Sequence, residues 1–275
     1  MFALEATGVV PPPAQCVPRQ AWRNGSTLVG ERTLAEEVPV AFSYDGAAHA
    51  VLMATPDDLE DFALGFSHTE GIITTPAEIA ELAVVSVADG IVLRMWLTGD
   101  RADAFAARRR RFVGPAGCGM CGLESLAEAN RTIPMVGYHL QVSRQDIAEA
   151  LAALPARQQL NTQTRAVHAA AFWWPDRELV LREDVGRHNA LDKLAGALLR
   201  AGQSAAEGII VLSSRISIEL VQKAGMMRAA IIVGVSAPTA LAVRTAEATG
   251  LTLVGIARDD GFEVFTHPER ITQYK

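Results

Sequence analysis

The chain has few cysteines and few aromatic side chains, no long apolar run and no excess of positive charge. Only three of its 275 residues are cysteine, too few for the disulfide framework of a small secreted protein. Its apolar stretches, around residues 209–212 and 229–235, are far shorter than the roughly 20 residues of a membrane helix. The formal net charge of -6 argues against general affinity for nucleic acid. Because residues 1–5 also lack the features of a secretory signal, we expect a soluble, cytoplasmic protein that binds neither membrane nor nucleic acid.

The length and composition suit a globular protein with one large domain or two smaller ones. Apolar residues make up 49% of the chain and charged residues 20%, which is ordinary for a protein with a substantial core. Residues 1–25 contain the run Pro11-Pro12-Pro13 and show no hydrophobic periodicity, so we expect a loosely ordered tail there. Cys16 falls within this stretch and is expected to be incidental.

Residues 26–135 have the pattern of an α+β domain. Two apolar stretches, over 38–53 and 82–97, are each divided by an Asp-Gly pair, at Asp45-Gly46 and Asp89-Gly90, which predicts two β-hairpins. Between them, proline and acidic residues at 56–58 open a predicted helix with apolar residues at i, i+3, i+4 and i+7, and Gly71 ends it.

Residues 136–275 alternate between strands and helices, which predicts an α/β domain with a mixed, mostly parallel sheet. Ser143 and Asp146 have the spacing of a capping box for a helix that runs to about residue 154. Further helices are predicted over 189–200, 216–224 and 239–249, between strands over 208–212, 230–235 and 252–257. Functional groups of such sheets gather beyond the carboxyl ends of the strands. Three strand tips are therefore candidates: Ser213-Ser214-Arg215, Ser236-Ala237-Pro238-Thr239 and Arg258-Asp259-Asp260-Gly261.

Two cysteines, Cys118 and Cys121, lie in a glycine-rich stretch that follows the basic run Arg108–Arg111. A thiol reacts as its thiolate, and nearby cations or a second thiol in a Cys-x-x-Cys motif lower its pKa. Glycines beside the cysteines leave the sulfur accessible and the backbone free to bend. This pattern is typical of sulfur chemistry or metal binding, and the motif reads Gly117-Cys118-Gly119-Met120-Cys121-Gly122.

The cysteine pair alone allows four interpretations. A zinc site needs further ligands, which histidines 68, 139, 168 or 188 would have to supply. A dithiol redox site would be expected close to a βαβ unit, whereas this motif follows an arginine run. A nucleophilic Cys118 that carries sulfur fits the glycines and the nearby cations. The fourth alternative is a pair of structural cysteines in a turn.

Other polar residues are candidates of lower specificity. The segment 182–193 places acidic, basic and amide side chains at a predicted strand-to-helix junction, more than a helix cap requires. His168 stands beside small apolar residues, where a histidine is usually a hydrogen-bonded core group. The run Arg108–Arg111 is either a solvated face or a surface that attracts an anionic ligand or acidic partner.

Zinc nucleobase deaminases provide a further comparison, because they combine His-x-Glu with Pro-Cys-x-x-Cys. His68-Thr69-Glu70 matches the first part of that signature. Gly117 stands where the second part requires proline, and the histidine lies at the end of a helix in the other block. The chain therefore does not fit the deaminase signature.

Taken together, these motifs resemble the formate dehydrogenase accessory sulfurtransferases, the FdhD family. The resemblance runs from Glu36 to Arg270 and is carried by several stretches at once. They are Met53-Ala54-Thr55-Pro56-Asp57-Asp58, the Cys118/Cys121 motif, Glu183-Asp184-Val185-Gly186-Arg187-His188-Asn189-Ala190-Leu191-Asp192-Lys193, Ser213-Ser214-Arg215 and Val235-Ser236-Ala237-Pro238-Thr239.

The resemblance implies a sulfur carrier that is required for formate dehydrogenase activity. Such proteins accept sulfur from a cysteine desulfurase as a cysteine persulfide and pass it to a molybdenum bis(molybdopterin guanine dinucleotide) cofactor, which is bound as substrate. The cofactor is then inserted into formate dehydrogenase. The family's persulfide cysteine falls on Cys118, and Cys121 either resolves the persulfide or tunes its pKa. A homodimer is compatible with this role, and the sequence does not fix the oligomeric state.

The resemblance also implies a fold and a cofactor-binding stretch. The carboxyl-terminal domain is expected to resemble the cytidine deaminase fold. The cofactor-binding stretch falls on Ile256-Ala257-Arg258-Asp259-Asp260-Gly261. Two acids in this stretch leave open whether it contacts phosphate or the guanine edge. The rival interpretation is a zinc- or redox-dependent adaptor that delivers cofactor without carrying sulfur.

Overall fold

The computed structural model describes residues 8–112, 133–137, 140–175 and 177–273. It begins with a hairpin in which β1 (Ala14–Arg23) pairs antiparallel with β2 (Ser26–Ala35). The turn residues Asn24 and Gly25 have φ angles of 51° and 75°, in the left-handed region that tight hairpin turns require. The expectation of a loosely ordered tail over residues 1–25 is therefore wrong for residues 14–23. Because most hairpin side chains are exposed on both faces, no apolar alternation marks these strands.

A second sheet carries the two predicted hairpins, both of which are confirmed. Its strands are β3 (Val38–Tyr44), β4 (Ala47–Ala54), β5 (Ile79–Val87) and β6 (Gly90–Leu97), in the order β4-β3-β6-β5. The predicted helix is α1 (Leu59–Thr69), and Gly71 follows it with a φ of 68°. A further helix, α2 (Gly99–Phe112), follows β6 and was not predicted.

A short stretch links this part to the main sheet. Strand β7 (Val142–Ser143) pairs in parallel with the last strand of the chain, β14 (Ile271–Thr272). Helix α3 (Arg144–Arg157) follows, and the predicted capping box is confirmed. The Ser143 Oγ accepts a hydrogen bond from the Asp146 amide at 3.1 Å, and the Ser143 amide donates to Asp146 Oδ2 at 2.8 Å. The short helix α4 (Gln159–Thr164) comes next.

The main sheet has six strands and is mixed, as predicted. Its strands are β8 (His168–Trp173), β9 (Val180–Asp184), β10 (Ile209–Leu212), β11 (Ile231–Gly234), β12 (Thr252–Arg258) and β13 (Gly261–Val264). The order is β13-β12-β11-β10-β8-β9. Strands β9 to β12 run in one direction, while β8 and β13 run in the other. The α/β fold class is confirmed.

Three helices connect the strands that share a direction. They are α5 (Arg187–Arg200), α6 (Ile218–Met226) and α7 (Ala240–Thr249). They follow β9, β10 and β11 respectively. The amino ends of all three helices therefore lie where these strands have their carboxyl ends, which is called the carboxyl edge of the sheet below. This is the edge at which the sequence predicts functional groups to gather.

Helices α1 and α5 pack against each other with almost no space between their backbones. A Cβ atom on Gly65 would lie 1.7 Å from the carbonyl oxygen of Asp192, and one on Gly196 would lie 1.9 Å from that of Asp61. Glycine at both positions is therefore required by close approach. This contact joins the four-stranded sheet, through α1, to the helix layer of the main sheet.

Buried apolar residues form two clusters, one between residues 40 and 105 and the other between residues 133 and 257. We keep the division into a domain over 26–135 and a domain over 136–275 as a proposal. Strand β2 of the hairpin contacts α4, which belongs to the second of these. None of the helices in the described ranges is both long and apolar enough to span a bilayer.

Candidate functional site

Three of the predicted strand tips are brought together at the carboxyl edge of the main sheet. Ile216, just past the β10 tip, forms a parallel bridge with Pro238 in the β11 tip, and the Thr239 amide donates to the Ile216 carbonyl at 2.9 Å. The Ile256 amide in β12 donates to the Ser236 carbonyl at 3.2 Å. The loops after β10 and β11 and the last residues of β12 therefore lie side by side.

The predicted cofactor-binding stretch contains a strained residue, Ile256. Its φ angle is 51°, and a β-branched side chain in the left-handed region is a genuine outlier. The β12–β13 register shifts between Gly255 and Arg258, which marks a bulge at this position. A Cβ on Gly255 would lie 2.8 Å from Pro238 Cδ, so the loop after β11 packs directly on the strained segment. Backbone strain of this kind persists at sites that bind ligands.

The rest of the stretch forms the tight turn between β12 and β13. Ala257 is buried, and its side chain belongs to the core. Arg258 pairs with Gly261 across the turn, and both carboxylates between them, Asp259 and Asp260, are exposed. Two carboxylates and a guanidinium are thus available to a ligand at this end of the edge.

Four basic side chains lie toward the other end of the same edge: His168, Arg187, His188 and Arg215. His188 Nε2 lies 3.4 Å from Ser217 Oγ at the start of α6 and 3.9 Å from Glu219 Oε2. Burial, reinforced by Arg187, lowers the pKa of His188 to about 4. Burial and Arg187 also lower the pKa of His168, which begins β8 directly opposite Asp184. Both imidazoles are neutral at physiological pH beside two arginines that carry positive charge.

Most of the polar segment 182–193 has a structural task. Asp184 is fully buried, and its carboxylate accepts from the amides of Gly186 at 2.7 Å and Thr55 at 3.0 Å. Lys193 Nζ lies 2.7 Å from the same carboxylate and donates to the Thr55 carbonyl at 2.9 Å. Asn189 bridges Asp184 and the carbonyl at residue 53. These contacts bind the loop before α1 to the start of α5, so only Arg187 and His188 of this segment remain as site candidates.

A second buried polar group joins α1, α5 and α6. Lys223 Nζ lies 2.9 Å from Asp192 Oδ1 and 2.8 Å from Glu70 Oε1, and Thr69 Oγ1 donates to Asp192 at 2.5 Å. Burial alone would lower the pKa of Lys223, but Asp192 and Glu70 outweigh it and raise that pKa. The lysine therefore stays protonated as a structural ion.

Within the described residues, His68 lies apart from the other histidines proposed as zinc ligands. His68 Nε2 lies 3.2 Å from the carbonyl of Met226, at the end of α6, whereas His188 contacts Ser217 at its beginning. Because Glu70 is paired with Lys223, the His-x-Glu pair is part of the structural network. Within the described ranges no group of three or more His, Cys, Asp and Glu side chains could hold a metal ion. His139 lies outside the described residues.

The cysteine motif, with Cys118 and Cys121, also lies outside the described residues. The basic run Arg108–Arg111 falls in the last turns of α2. Cys16 is exposed on β1, and its Sγ lies 3.4 Å from Glu31 Oε2. The hydrogen bond to this carboxylate raises the pKa of the Cys16 thiol, which makes it a poor nucleophile.

The chain is similar to proteins of known family over most of its length. The model of the FdhD/NarQ family matches residues 35–272. Sulfur carrier protein FdhD of Agrobacterium fabrum is 51% identical over 257 residues, which cover 93% of this chain and 95% of that protein. The protein of the same name from Xanthomonas euvesicatoria is 47% identical, over 90% of this chain and 89% of the relative.

A solved structure has the same fold. It belongs to a protein described as a formate dehydrogenase accessory protein, from Desulfotalea psychrophila, with a TM-score of 0.73 and 26% identity. The match covers 95% of this chain and all of that one. The family model, the relatives and this structure agree, and the chain belongs to the FdhD/NarQ family.

Proposed function

We propose that this protein is a cytoplasmic sulfur carrier that serves formate dehydrogenase. The observation that carries the proposal is the identity of 46–51% with relatives named sulfur carrier protein FdhD, over about nine tenths of the chain. In this proposal the sulfur donor is a cysteine desulfurase, and the acceptor is the molybdenum cofactor destined for the dehydrogenase. The protein then acts as a sulfurtransferase and as a chaperone of that cofactor.

The chemistry is assigned to Cys118. Its thiolate attacks the terminal sulfur of the desulfurase persulfide, a new S–S bond forms on Cys118, and the desulfurase cysteine leaves as a thiolate. In one alternative the Cys121 thiolate attacks Cys118 Sγ, a Cys118–Cys121 disulfide forms, and the terminal sulfur leaves as sulfide, which binds molybdenum; a cellular dithiol then reduces the disulfide. In the other alternative Cys121 only tunes the pKa of Cys118. The terminal sulfur then passes to molybdenum, Cys118 leaves as a thiolate, and the two electrons that convert the sulfur to sulfide come from the reduced metal of the substrate cofactor. The basic run Arg108–Arg111 precedes this motif and supplies positive charge for an anionic ligand or an acidic partner surface.

The test of this assignment is maturation of formate dehydrogenase in cells that lack the natural carrier. Cys118→Ala should abolish dehydrogenase activity, while Cys121→Ala should reduce it. Cys16→Ala is the matched control, because its thiol is exposed, beside Glu31, and has a raised pKa. Full activity of Cys118→Ala would contradict the assignment. Stoichiometric zinc in the purified protein, lost in both motif variants, would instead support the adaptor interpretation.

The guanine nucleotide of the cofactor is assigned to the stretch Ile256–Gly261. The strained backbone at Ile256 and the exposed turn beyond it support a ligand contact here. Ionised Asp259 or Asp260 accepts hydrogen bonds from the N1–H and exocyclic amine of guanine, which adenine does not offer in the same arrangement. We expect GDP to bind more tightly than ADP, and the double variant Asp259→Ala/Asp260→Ala to lose that preference. Equal affinity for both nucleotides in the wild type would contradict the assignment.

A homodimer is also proposed, on the exposed apolar side chains of the hairpin β1–β2. Trp22, Leu28 and Val29 near its tip are 72%, 55% and 84% exposed. Strand β2 contacts α4, but these apolar side chains near the tip remain in solvent, where a partner surface would cover them. The outer face of the four-stranded sheet exposes a matching apolar set, Val51, Met53 and Trp96.

A second copy of the chain fits this pair of surfaces. A ribbon with ten-residue strands is roughly 33 Å long and about 10 Å wide, so two reciprocal contacts bury on the order of 1,300 Å² in total. That area is within the range of stable dimers. Sedimentation analysis should find a dimer for the wild type and a monomer for Trp22→Ser/Val29→Ser, while Leu241→Ser on α7 should remain a dimer. A monomeric wild type would refute the proposal.

A further inference from the structure

The basic side chains at the start of α5 and α6 form a cluster that the proposed contacts with guanine do not use. Arg187 is the first residue of α5, and its Nε is buried without a hydrogen-bond partner in the part of the chain that the structure describes. Arg215 is exposed in the loop between β10 and α6, and it forms no ion pair with any described residue. His168 and His188 complete the group. Arg187 and Arg215 both lie near enough to His188 to lower its pKa, and neither forms an ion pair with a described residue, although Glu219 lies beside His188. This grouping of positive charge favours an anion.

The backbone around the cluster favours negative charge as well. Helices α5 and α6 both begin at this place, and neither N-cap residue, Gly186 or Ser217, caps its helix with a side-chain hydrogen bond. At the start of α6 the Glu219 carboxylate accepts from the Ser217 hydroxyl and from its own amide. Free amides at the amino ends of helices bind phosphate oxygens. Asp184, the nearest buried carboxylate, is saturated by Gly186, Thr55 and Lys193. Glu219 is the nearby acid, and it lies half exposed beside His188.

The cluster and the Ile256–Gly261 stretch lie along the same edge of the main sheet. Strands β12 and β9 are four strand spacings apart, which is roughly 19 Å. The amino ends of α7 and α6 fill the distance between them, joined by the Ile216–Pro238 bridge. An elongated ligand that places its base at the β12–β13 turn would extend toward the cluster at the other end.

We propose that Arg187 and Arg215, with His168 and His188, form the seat of the phosphate groups of the nucleotide ligand. The identity of the ligand rests on the proposed function, but the preference for an oxyanion follows from the cluster alone. The guanidinium groups donate charge-assisted hydrogen bonds to phosphate oxygens. Each neutral imidazole donates one hydrogen bond, and it does so without adding a charge that would have to be desolvated in the site.

Calorimetry with three probes, GDP, guanosine and inorganic pyrophosphate, tests this proposal. Arg187→Gln and Arg215→Gln should each weaken GDP and pyrophosphate binding about ten-fold, and the double variant about 100-fold. Guanosine affinity should be unchanged. Arg244→Gln, an exposed arginine on α7, is the matched control and should bind all three probes like the wild type. Because Arg187 is partly buried, its replacement can prevent folding. Arg215 is exposed, so the Arg215→Gln variant on its own then tests whether the cluster binds phosphate.

The outcomes separate this proposal from the proposed function. GDP binding of wild-type strength in the double variant overturns the phosphate seat and leaves the guanine assignment standing. Pyrophosphate and GDP binding that the double variant loses, without any guanosine binding and with GDP no tighter than ADP, supports the seat and refutes the guanine assignment. Absence of all three refutes both. NMR titration provides a second readout, because an anion in the seat should raise the low pKa of His188, which faces Arg187, Lys223, Glu219 and Arg215.

Discussion

The contact between α1 and α5 predicts a severe effect for a single added methyl group, Gly196→Ala. The new Cβ would lie 1.9 Å from the Asp61 carbonyl oxygen and 2.6 Å from its carbon, whereas ordinary contact begins at 3.4 Å. Restoring that distance moves the helices apart by roughly 1.5 Å, because the atoms that the new Cβ would contact belong to the backbone of Asp61 and cannot rotate away. The same movement stretches the bonds from Thr69 to Asp192, now 2.5 Å, and from Arg200 to Asp61, now 2.9 Å.

The balance of effects is strongly unfavourable. Alanine gains about 1 kcal/mol over glycine in a helix, while overpacking costs about 1–3 kcal/mol and loss of the hydrogen bond from Thr69 to the buried Asp192 carboxylate about 1.5–3 kcal/mol. We therefore expect Gly196→Ala to lower the free energy of unfolding by about 2–5 kcal/mol, measured by urea denaturation. Gly99→Ala at the start of α2 is the control, because nothing lies within 4 Å of its Cβ position. A Gly196→Ala stability within about 0.5 kcal/mol of the wild type would refute the close-contact account.

Three further predictions follow from buried and basic groups. Lys193→Met leaves Asp184 buried without its cation, and we expect the free energy of unfolding, measured by urea denaturation, to fall by about 3–5 kcal/mol. The double variant Asp184→Asn/Lys193→Met should recover part of this loss, and a double variant that recovers none would contradict the pairing. NMR titration should give His188 a pKa of about 4, and a value near 6.5 would be inconsistent with its surroundings. Because the imidazole takes up a proton near pH 6.5 in the unfolded chain and only near pH 4 in the folded protein, His188 lowers the free energy of unfolding as the pH falls from 6.5 to 4. Replacement of Arg108–Arg111 by glutamine should slow sulfur loading at low salt and matter less at high salt, and a defect that is independent of salt would point to folding instead.

Local patterns predicted most of the regular structure. The Asp45-Gly46 and Asp89-Gly90 turns, the Ser143 capping box and the alternation over residues 187–258 each depend on neighbours in the sequence, and each is confirmed. The hairpin β1–β2 was missed although Asn24-Gly25 is a strong turn signal. Its strands lack the alternation that burial of one face imposes, since both faces are exposed.

The division of labour among polar residues was not predictable from local sequence. Asp184 and Lys193 are nine residues apart along the chain, and their partner Thr55 is more than a hundred residues away. Only the docking of α1 on α5 shows that these side chains hold two parts of the fold together. The same docking separates them from Arg187 and His188, which the sequence placed in one undivided polar segment.

The most direct test of the central claim is mass spectrometry of the protein after incubation with a cysteine desulfurase and cysteine. The account predicts one added sulfur atom on the intact protein, removed by a reductant and located on Cys118 by fragmentation of the peptide that contains both motif cysteines. Cys118→Ala should gain none, while Cys121→Ala and Cys16→Ala should still gain it. Added sulfur on Cys121 of the wild type, with Cys118→Ala still loaded, would contradict the assignment of Cys118 as the carrier.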